Sequence, residues 1–414
     1  MPILTRPGYN PLVRIGFDMQ ALVGGGETGL GAYARGVLWG MERLALTGAN
    51  AAEIRRDIPG RAAEALLRKQ GWPKGVEIAR LYPNRLEKPL AHSVTRTAWE
   101  QSGLPASAKS ARADVVYSPA LGAPLGRAIP NVATVHDLIP LHKKDREIRL
   151  AELYFTEYLP RCWRKADMLV FDTETVRAEF LGRWPDVKMD RTLVVPCFAA
   201  CRVPKLFPPT SGGIWEPGYL AGIATSEPVQ YSERRGFLCV ATFEERKNLG
   251  LALDAYAQLA KDIREKHPLI MIGKGGERDI LWQLVEQSGM ARFVKFTGYL
   301  PIEQLRETYA KALALVFPST DEGFGIPPLE AMSYGTPAVI GDAPAVREVY
   351  GAVCPSVARD GAGNLSGEMA RLAKHEEHWK KLSENGLRFA AGFSPERTAL
   401  VAMAACEMAA SSEF

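Results

Sequence analysis

The sequence lacks the features that would anchor or cross-link the protein. No apolar run approaches the ~18 residues that a membrane-spanning helix needs, and residues 1–10 lack the charged-then-apolar plan of a signal peptide. We therefore expect a cytoplasmic protein. Only six cysteines are scattered over 414 residues, which favours reduced thiols. The nearest pair, Cys197 and Cys201, has no Cys-x-x-Cys motif or neighbouring histidine, so we expect no zinc site.

A strong charge of one sign is also missing. The formal net charge is +4, with 47% hydrophobic and 24% charged residues, which is typical of a globular protein. Residues 1–210, however, carry 30 Lys and Arg against 21 Asp and Glu. This excess of positive charge suits binding to an anionic membrane surface or to a phosphate-bearing acceptor. The dense basic clusters of a nucleic-acid binder are lacking. A solvated surface without a partner is the alternative.

What the sequence does contain is an alternation of short apolar runs and longer helical patterns. The runs are apolar throughout, as parallel strands covered on both faces require. The first set of predicted strands comprises residues 13–17, 115–117, 131–136, 168–171 and 192–195. The second set comprises residues 236–241, 269–272, 294–297, 314–318 and 338–340. The pattern predicts an α/β protein with two successive sheets.

A stretch rich in proline and glycine, from about residue 197 to 235, separates the two sets. Such residues interrupt helices and central strands. We predict a first domain of residues 1–205, a linker of residues 206–235, a second domain of residues 236–393 and a final helix in residues 394–414.

Residues 42–112 of the first half are poorly patterned. Within them, residues 61–72 (RAAEALLRKQGW) form a short basic amphipathic pattern. We expect a helix whose apolar side faces the core, with a membrane interface as the alternative.

The most informative segment is residues 321–335, DEGFGIPPLEAMSYG. It follows the predicted strand 314–318. Pro327 and Pro328 suit the first turn of a helix, and Gly335 suits the position after its end. The pattern therefore predicts strand, glycine loop and helix. At the carboxyl edge of a parallel sheet, the N-terminus of such a helix offers N–H groups and positive potential to an anion.

Two acids lie eight positions apart in this segment. Glu322 falls in the loop and Glu330 in the first helical turns. A carboxylate accepts hydrogen bonds from adjacent hydroxyls, so one acid suits a ribose diol and the other the hydroxyls of a hexose. Gly323 and Gly325 would let backbone N–H groups approach phosphate or sugar oxygens. The alternative makes Glu330 a partner of the helix dipole and Glu322 a surface residue.

A second segment, residues 236–248 (GFLCVATFEERKN), joins a predicted strand to a helix. Arg246 and Lys247 then lie at a helix entrance, where two cations can neutralise a diphosphate leaving group. The alternative is a capped helix with exposed basic residues.

These motifs, in this order, resemble the retaining glycosyltransferases of family 4. The resemblance is carried by Glu-x7-Glu within EGFGIPPLEAMSYGTPAV and by RKN, LIMIGKGG and FTGYLP. In the first half, GLGAY (29–33) resembles the family's G-x-G-x-Y turn, and VHDLIPL (135–141) resembles its mannosyltransferase-like members. The resemblance implies the GT-B architecture, in which two Rossmann-like domains face each other across a cleft and the final helix crosses back to the first domain.

The resemblance also implies individual roles. It assigns Glu322 to the hydroxyls of the transferred sugar, Glu330 to the nucleotide ribose, and Arg246 and Lys247 to the diphosphate. The remaining donor-binding residues that it implies are Gly31, Gly273, Lys274, Gly275, Thr297, Gly298, Tyr299, Gly323, Phe324, Gly325 and Ile326. Those near the base would act largely through their main chain.

One further catalytic candidate lies in the first half. His136, at the end of a predicted strand, would face the sugar across the cleft. The alternative is a core histidine whose ring nitrogens are hydrogen-bonded within the protein. Two residues depart from the family pattern: Ala241 replaces a common glycine, and Thr242 replaces the arginine of some members. Because of these departures, Arg246 and Lys247 would have to neutralise more of the diphosphate charge.

The implied reaction is transfer of a hexose from a nucleotide diphosphate sugar to an acceptor hydroxyl with retention of configuration. GDP-mannose is the favoured donor, ahead of UDP-hexoses or another GDP-deoxysugar. The expected acceptor is a bacterial polysaccharide or a lipid-linked glycan, which would bring the protein to the inner face of the cell membrane. The chain has no Asp-x-Asp motif, so we expect neither a metal nor another cofactor, and no nucleic-acid partner.

Three other functions stay open. A nicotinamide-dependent dehydrogenase is suggested by Gly24-x-Gly26-x-x-Gly29, although no acidic residue ends a second strand about 20 positions later. A nucleotide-sugar epimerase of similar architecture would need acid and base carboxylates but no acceptor. A non-catalytic glycan- or nucleotide-binding protein is the third.

Overall fold

The structure, a computed structural model, describes residues 13–22, 29–58, 60–69, 71–83, 93–126, 128–142, 150–202 and 229–411. The chain divides into two compact units. The first holds the described residues up to Cys197 together with those from Ser394, and the second runs from Phe198 to Phe393. Each unit contains one parallel sheet.

The sheet of the first unit has six strands in the order β2-β1-β3-β4-β5-β6, and all neighbours are parallel. The strands are β1 (Arg14–Asp18), β2 (Glu77–Leu81), β3 (Val115–Ser118), β4 (Asn131–Val135), β5 (Met168–Phe171) and β6 (Thr192–Val194). The helices before the final one are α1 (Gly29–Thr47), α2 (Ala51–Asp57), α3 (Gly60–Leu67), α4 (Ser93–Ala98), α5 (Leu104–Ser110), α6 (Leu150–Leu153), α7 (Leu159–Lys165) and α8 (Glu174–Arg183).

The sheet of the second unit has five parallel strands in the order β11-β10-β7-β8-β9. They are β7 (Phe237–Val240), β8 (Leu269–Ile272), β9 (Val294–Gly298), β10 (Ala314–Phe317) and β11 (Ala338–Ile340). The helices are α9 (Leu249–Ala257), α10 (Lys261–Lys266), α11 (Arg278–Gln287), α12 (Ile302–Lys311), α13 (Ile326–Ser333), α14 (Pro344–Tyr350), α15 (Ala362–Lys374) and α16 (Glu376–Ala390).

The last helix, α17 (Pro395–Ala410), packs against α1 of the first unit. Contact is close at Gly40, where an added Cβ would lie 2.5 Å from the Pro395 carbonyl oxygen. The Arg397 guanidinium donates to Asp57 at 2.9 Å, which ties α17 to the end of α2.

The α/β class with two parallel sheets is confirmed. The strands β3, β4, β5, β10 and β11 are fully buried, and β6, β7 and β8 are nearly so. The edge strand β9, in contrast, exposes Lys295 and Thr297. Each buried Val, Leu, Ile or Phe contributes about 1.5–3 kcal/mol, so these cores fix the loops at the strand ends. Within residues 42–112, β2 was not predicted. The apolar side chains Ala63 and Leu66 of α3 are buried within the first unit, as expected for a core-facing helix.

The division between the units lies between Cys197 and Phe198 rather than at residue 205. The reason is a 3₁₀ turn, Ala200–Arg202, which contacts α13 of the second unit. Most of the predicted linker, residues 206–228, lies outside the described residues. No helix in the described ranges combines the length and the apolar character needed to cross a bilayer. All six cysteines are buried and form no disulfide.

Candidate active site

Two loops meet at the carboxyl edge of the second sheet. β7 and β10 are parallel neighbours, so the loops that follow them leave from the same edge. The first loop contains a 3₁₀ turn, Glu245–Lys247, and the second leads into α13. They are joined by a bond from the Thr320 N–H to the Arg246 carbonyl at 2.8 Å and by one from Arg246 Nη1 to the Asp321 carbonyl at 3.0 Å.

An ion cluster occupies this junction. Glu322 Oε1 accepts from Lys247 Nζ at 2.5 Å, and Glu322 Oε2 accepts from Arg246 Nη1 at 3.2 Å. The side chains of Lys247 and Glu322 are each only 10% exposed. Buried charges are costly unless they are paired, so Glu322 stabilises the two cations. The Lys247 ammonium also lies 5.8 Å from the ring centroid of Phe317.

Glu244 is a fourth member of this ion cluster and was not predicted. It accepts from Arg246 Nε at 2.9 Å, and its side chain is 45% exposed. Partial burial opposes ionisation, but Arg246, Thr242 and Lys247 together outweigh it and lower the pKa of Glu244. The four formal charges cancel, so an incoming anion would compete with Glu244 for Arg246. Its position two residues before Arg246 is the signal that could have identified it.

The N-terminus of α13 adjoins the ion cluster. Gly325 precedes the helix in a left-handed conformation, with φ of +79°, which favours glycine. Its carbonyl accepts from the Tyr350 hydroxyl at 2.7 Å. Pro327 and Pro328 carry no N–H group, so Gly325 and Ile326 are the residues that supply N–H donors at this end.

Neither of the two residues between Glu322 and Gly325 offers an exposed side chain to a ligand. The ring of Phe324 is buried between Tyr350 and Phe393, with ring centroids 5.8 and 6.2 Å away. Any donor contact of Phe324 would therefore come from its main chain. Gly323 is also buried, so it too would act through its main chain.

Glu330 is enclosed within the second unit. Its side chain accepts from the Cys201 N–H at 2.8 Å through Oε1 and from the Tyr309 hydroxyl at 2.8 Å through Oε2. Burial raises the pKa of Glu330, although the hydrogen bonds from Tyr309 and Cys201 oppose the shift. Such a residue is not an exposed partner of the helix dipole. Its assignment to the ribose stays a prediction, and each oxygen already has one donor.

The glycine loop after β8 packs tightly against the loop after β7. Gly273 has φ of +147°, and an added Cβ would lie 1.8 Å from the Ala241 carbonyl oxygen. A Cβ on Gly275 would lie 2.3 Å from the carbonyl oxygen of Phe243. The Phe243 N–H donates to the Lys274 carbonyl at 3.0 Å. These glycines permit close contact between the main chains of the two loops. Their predicted contact with the nucleotide base is a separate matter and stays a prediction.

The loop after β9 joins the same edge. The Gly298 carbonyl accepts from the Gly273 N–H at 3.1 Å. Thr297 and Tyr299 are exposed on either side of Gly298. The structure therefore brings together two predicted donor-binding segments, residues 273–275 and 297–299. Phe243 connects them to the loop that carries Arg246 and Lys247.

His136 belongs to the first unit and is mostly buried. Its Nδ1 lies 2.6 Å from Asp172 Oδ2, and its Nε2 lies 2.8 Å from the Pro119 carbonyl oxygen. The Tyr33 ring packs edge-on against it at 4.6 Å between centroids. A carbonyl oxygen only accepts, so Nε2 donates to Pro119, and Nδ1 forms a hydrogen bond with the Asp172 carboxyl group.

The electrostatics of His136 agree with this geometry. Burial alone would lower its pKa, but the Asp172 carboxylate and the Pro119 carbonyl outweigh burial and raise the pKa above 6.5. These contacts are those of a satisfied buried histidine, and its role toward a sugar stays a prediction. Asp172 was not predicted. It follows β5, the neighbour of β4, and this adjacency of strand ends is the signal for it. Gly31 is buried near the start of α1.

No group of three or more His, Cys, Asp or Glu side chains is arranged to hold a metal ion in the described part of the chain. Of the dinucleotide-like motif, Gly24 and Gly26 lie outside the described residues, and Gly29 begins α1.

Comparisons with known proteins agree with the resemblance. Residues 226–388 match the model of the family described as "Glycosyl transferases group 1". The chain is 44% identical over 115 residues to O-antigen chain mannosyltransferase B of Escherichia coli, which covers 28% of this chain and 30% of that protein. It is 27% identical over 283 residues to the serotype-specific mannosyltransferase WbdA of Escherichia coli, which covers 66% of this chain and 32% of that protein. The matches thus span about a third of the length of these relatives.

Two solved structures show a similar fold. WaaG, a glycosyltransferase involved in lipopolysaccharide biosynthesis, has a TM-score of 0.59 at 16% identity, over 94% of this chain and 99% of that chain. Anabaena HepE in complex with UDP and glucose has a TM-score of 0.56 at 18% identity, over 95% and 98%. At these identities the likeness concerns the fold alone. The predicted GT-B class of two Rossmann-like domains and the resemblance to mannosyltransferase-like glycosyltransferases are confirmed.

Proposed function

We propose that the chain is a retaining glycosyltransferase that moves mannose from GDP-mannose to an acceptor hydroxyl without a metal ion. The proposed acceptor is a bacterial polysaccharide or a lipid-linked glycan. The names of the curated relatives, an O-antigen chain mannosyltransferase and a serotype-specific mannosyltransferase, support the sugar and the kind of acceptor. The basic character of residues 1–210 supports an acceptor that carries phosphate or lies at an anionic membrane.

One observation carries the proposal: Arg246, Lys247 and Glu322 form an ion cluster beside the N-terminus of α13, at the carboxyl edge of a parallel sheet. Ligands of open α/β sheets bind at this edge. Two fixed cations and a helix N-terminus together suit a diphosphate. A carboxylate next to them suits the hydroxyls of the attached sugar.

The chemistry follows from where charge develops. When the bond between the anomeric carbon and the β-phosphate oxygen breaks, negative charge grows on the phosphate and positive character on the carbon. Arg246, Lys247 and the N–H groups of Gly325 and Ile326 would stabilise the leaving phosphate. In our proposal the acceptor oxygen attacks on the face that the phosphate leaves, and the acceptor proton passes to that phosphate. The anomeric configuration is then retained.

Glu322 has two proposed tasks. It holds Lys247 and Arg246 in place before the donor binds, and it accepts hydrogen bonds from the sugar once the phosphates share those cations. Glu322→Gln keeps the size of the side chain and removes its charge. We therefore expect this variant to lose mannose transfer by about 100-fold or more while the fold survives.

Transfer from labelled GDP-mannose, UDP-glucose and GDP-fucose to lipid-linked and polysaccharide acceptors tests this proposal, with NMR of the product to read the anomeric configuration. Glu307→Gln is the matched control, because Glu307 pairs with Lys311 on an exposed helix face. Full activity of Glu322→Gln would remove Glu322 from the site. Conversion of the donor to its epimer without an acceptor would support the epimerase instead, and reduction of a nicotinamide cofactor would support the dehydrogenase.

A further inference from the structure

Glu244 is the more exposed of the two carboxylates in the ion cluster. Both accept hydrogen bonds from the Arg246 guanidinium, Glu244 from Nε at 2.9 Å and Glu322 from Nη1 at 3.2 Å. Their surroundings differ, because the side chain of Glu244 is 45% exposed and that of Glu322 is 10% exposed. A phosphate that approaches Arg246 can therefore push Glu244 into solvent at little cost, whereas Glu322 stays enclosed.

The main chain keeps Glu244 beside Arg246. Glu244 is extended, with φ of −131° and ψ of 148°, directly before the 3₁₀ turn that carries Arg246 and Lys247. Its carbonyl accepts from the Lys247 N–H at 2.9 Å, and its N–H donates to the Thr242 carbonyl at 3.0 Å. Only the side chain has to move when its bond to Arg246 breaks, so the negative charge remains next to the cluster.

Two further carboxylates make this side of the cluster acidic. Partial burial, together with the carboxylates of Glu245 and Glu244, raises the pKa of Glu277. The three acids are thus close enough to repel one another. The charges of Glu245 and Glu277 add to a cluster whose own four charges already cancel. This negative charge opposes tight binding of a diphosphate.

The two diphosphates of the proposed reaction differ in charge. In a nucleotide sugar the β-phosphate is esterified and carries one negative charge. After transfer this phosphate is terminal, and because a terminal phosphate loses its second proton near about pH 6, it carries nearly two charges at neutral pH. Cations alone would therefore hold the product more tightly than the donor. A carboxylate beside the same phosphate opposes this preference, since repulsion grows with charge.

We propose that Glu244 selects the donor over the product. It competes with the diphosphate for Arg246 and weakens the nucleoside diphosphate more than the nucleotide sugar, so that the product leaves after each transfer. The proposal rests on the proposed function, since it requires a nucleotide diphosphate sugar at the ion cluster. Glu244 thereby acts in the opposite sense to Glu322, which holds the two cations in place.

Binding of GDP and GDP-mannose to the full chain, measured by titration calorimetry, tests the proposal in Glu244→Gln. This variant keeps the size of the side chain and removes its charge. We expect GDP to bind about tenfold more tightly and GDP-mannose only about threefold more tightly. In transfer assays, GDP should inhibit the variant at about tenfold lower concentration than the unchanged protein. UDP and UDP-glucose are compared in the same way, so the result does not depend on the base.

Glu245→Gln is the matched control. Glu245 is the next residue, is exposed, and forms no ion pair in the ranges that the structure describes. Its charge is screened by solvent, so we expect its removal to change the affinity for either ligand by about twofold or less. Tighter binding requires an intact site, so the expected result for Glu244→Gln cannot arise from damage to the fold.

The other outcomes would overturn the proposal. Weaker GDP binding in Glu244→Gln would mean that Glu244 orients Arg246 for the phosphates. An equal gain for GDP and GDP-mannose, or no change in either, would show that Glu244 does not distinguish product from donor. An equal gain in Glu245→Gln would reduce the effect to general charge. In each of these cases glycosyl transfer still stands, whereas the proposed function itself fails if the unchanged protein binds none of the four nucleotides.

Discussion

Glu322 and His136 were both candidate catalytic residues, and their surroundings give them different chemistry. Glu322 joins two cations at the carboxyl edge of the second sheet. His136 uses both ring nitrogens on acceptors of its own unit, Asp172 and the Pro119 carbonyl. A histidine held in this way has both ring nitrogens in hydrogen bonds, so neither is available to act as a general base. Any contribution that it makes to the reaction would be electrostatic.

The raised pKa of His136 predicts how the stability of the first unit depends on pH. A group whose pKa is higher in the folded state stabilises the fold fully below its unfolded value of about 6.5, and this contribution disappears as pH rises through the folded value. We expect stability to fall over that window and the fall to be smaller in His136→Gln.

Urea unfolding of the two proteins at a series of pH values from about 5 to 9 checks this expectation. Asp172→Asn should likewise reduce the dependence, because it removes the charge that raises the pKa of His136. If the free energy of unfolding depends on pH identically in His136→Gln and in the unchanged protein, then His136 is not the source of that dependence.

Glu330 shows what residue types alone do not reveal. Its spacing from Glu322 predicts a ligand contact, but its partners Tyr309 and Cys201 lie 21 and 129 residues away in sequence. Nothing in the local pattern indicates that these groups enclose the carboxylate. The ion cluster could be anticipated better, since Arg246 and Glu322 each follow an apolar strand and parallel strands end at one edge.

At the scale of elements, the central strands and the edge strands β6, β9 and β11 were predicted, whereas the edge strand β2 was not. β10 reads ALVF and is closed by Pro318, so length and composition define it. β2 reads EIARL, and four of its five residues are only partly buried. The strand accommodates two charged residues, because Glu77 forms an ion pair with Arg14 and Arg80 forms one with Glu42. A half-exposed edge strand of this kind lacks the continuous apolar run that marks a central strand.

The glycine loop after β8 gives a prediction at this scale. Gly273→Ala would place a Cβ 1.8 Å from the Ala241 carbonyl oxygen in a backbone conformation with φ of +147°. We expect it to lower the free energy of unfolding by about 3 kcal/mol or more. We also expect it to weaken nucleotide binding, because the loop carries Lys274.

Gly276→Ala is the matched control, since a Cβ there would meet no atom within 4 Å. Chemical denaturation of both variants, together with nucleotide titration, checks the prediction. A Gly273→Ala protein as stable as Gly276→Ala would mean that the two loops separate easily and that the close approach is not required.

At the scale of the whole molecule, two parallel sheets in sequence and a final helix that returns to the first unit account for most of the chain. The boundary between the units was harder to place, because residues 198–202 lack the apolar pattern of either sheet and are placed by contacts with α13. The second unit has the more specific motifs, and most of the region matched by the family model, residues 226–388, lies in it.

The account depends on the ion cluster binding a diphosphate. The most direct test compares GDP and guanosine binding by titration calorimetry in the unchanged chain, in Lys247→Met and in the exposed control Lys261→Met. Lys247→Met leaves Glu322 paired with Arg246, so the fold should persist. Loss of a charged hydrogen bond to phosphate should weaken GDP by about tenfold or more and leave guanosine unchanged. Unaltered GDP binding, or equal losses for GDP and guanosine, would contradict the account.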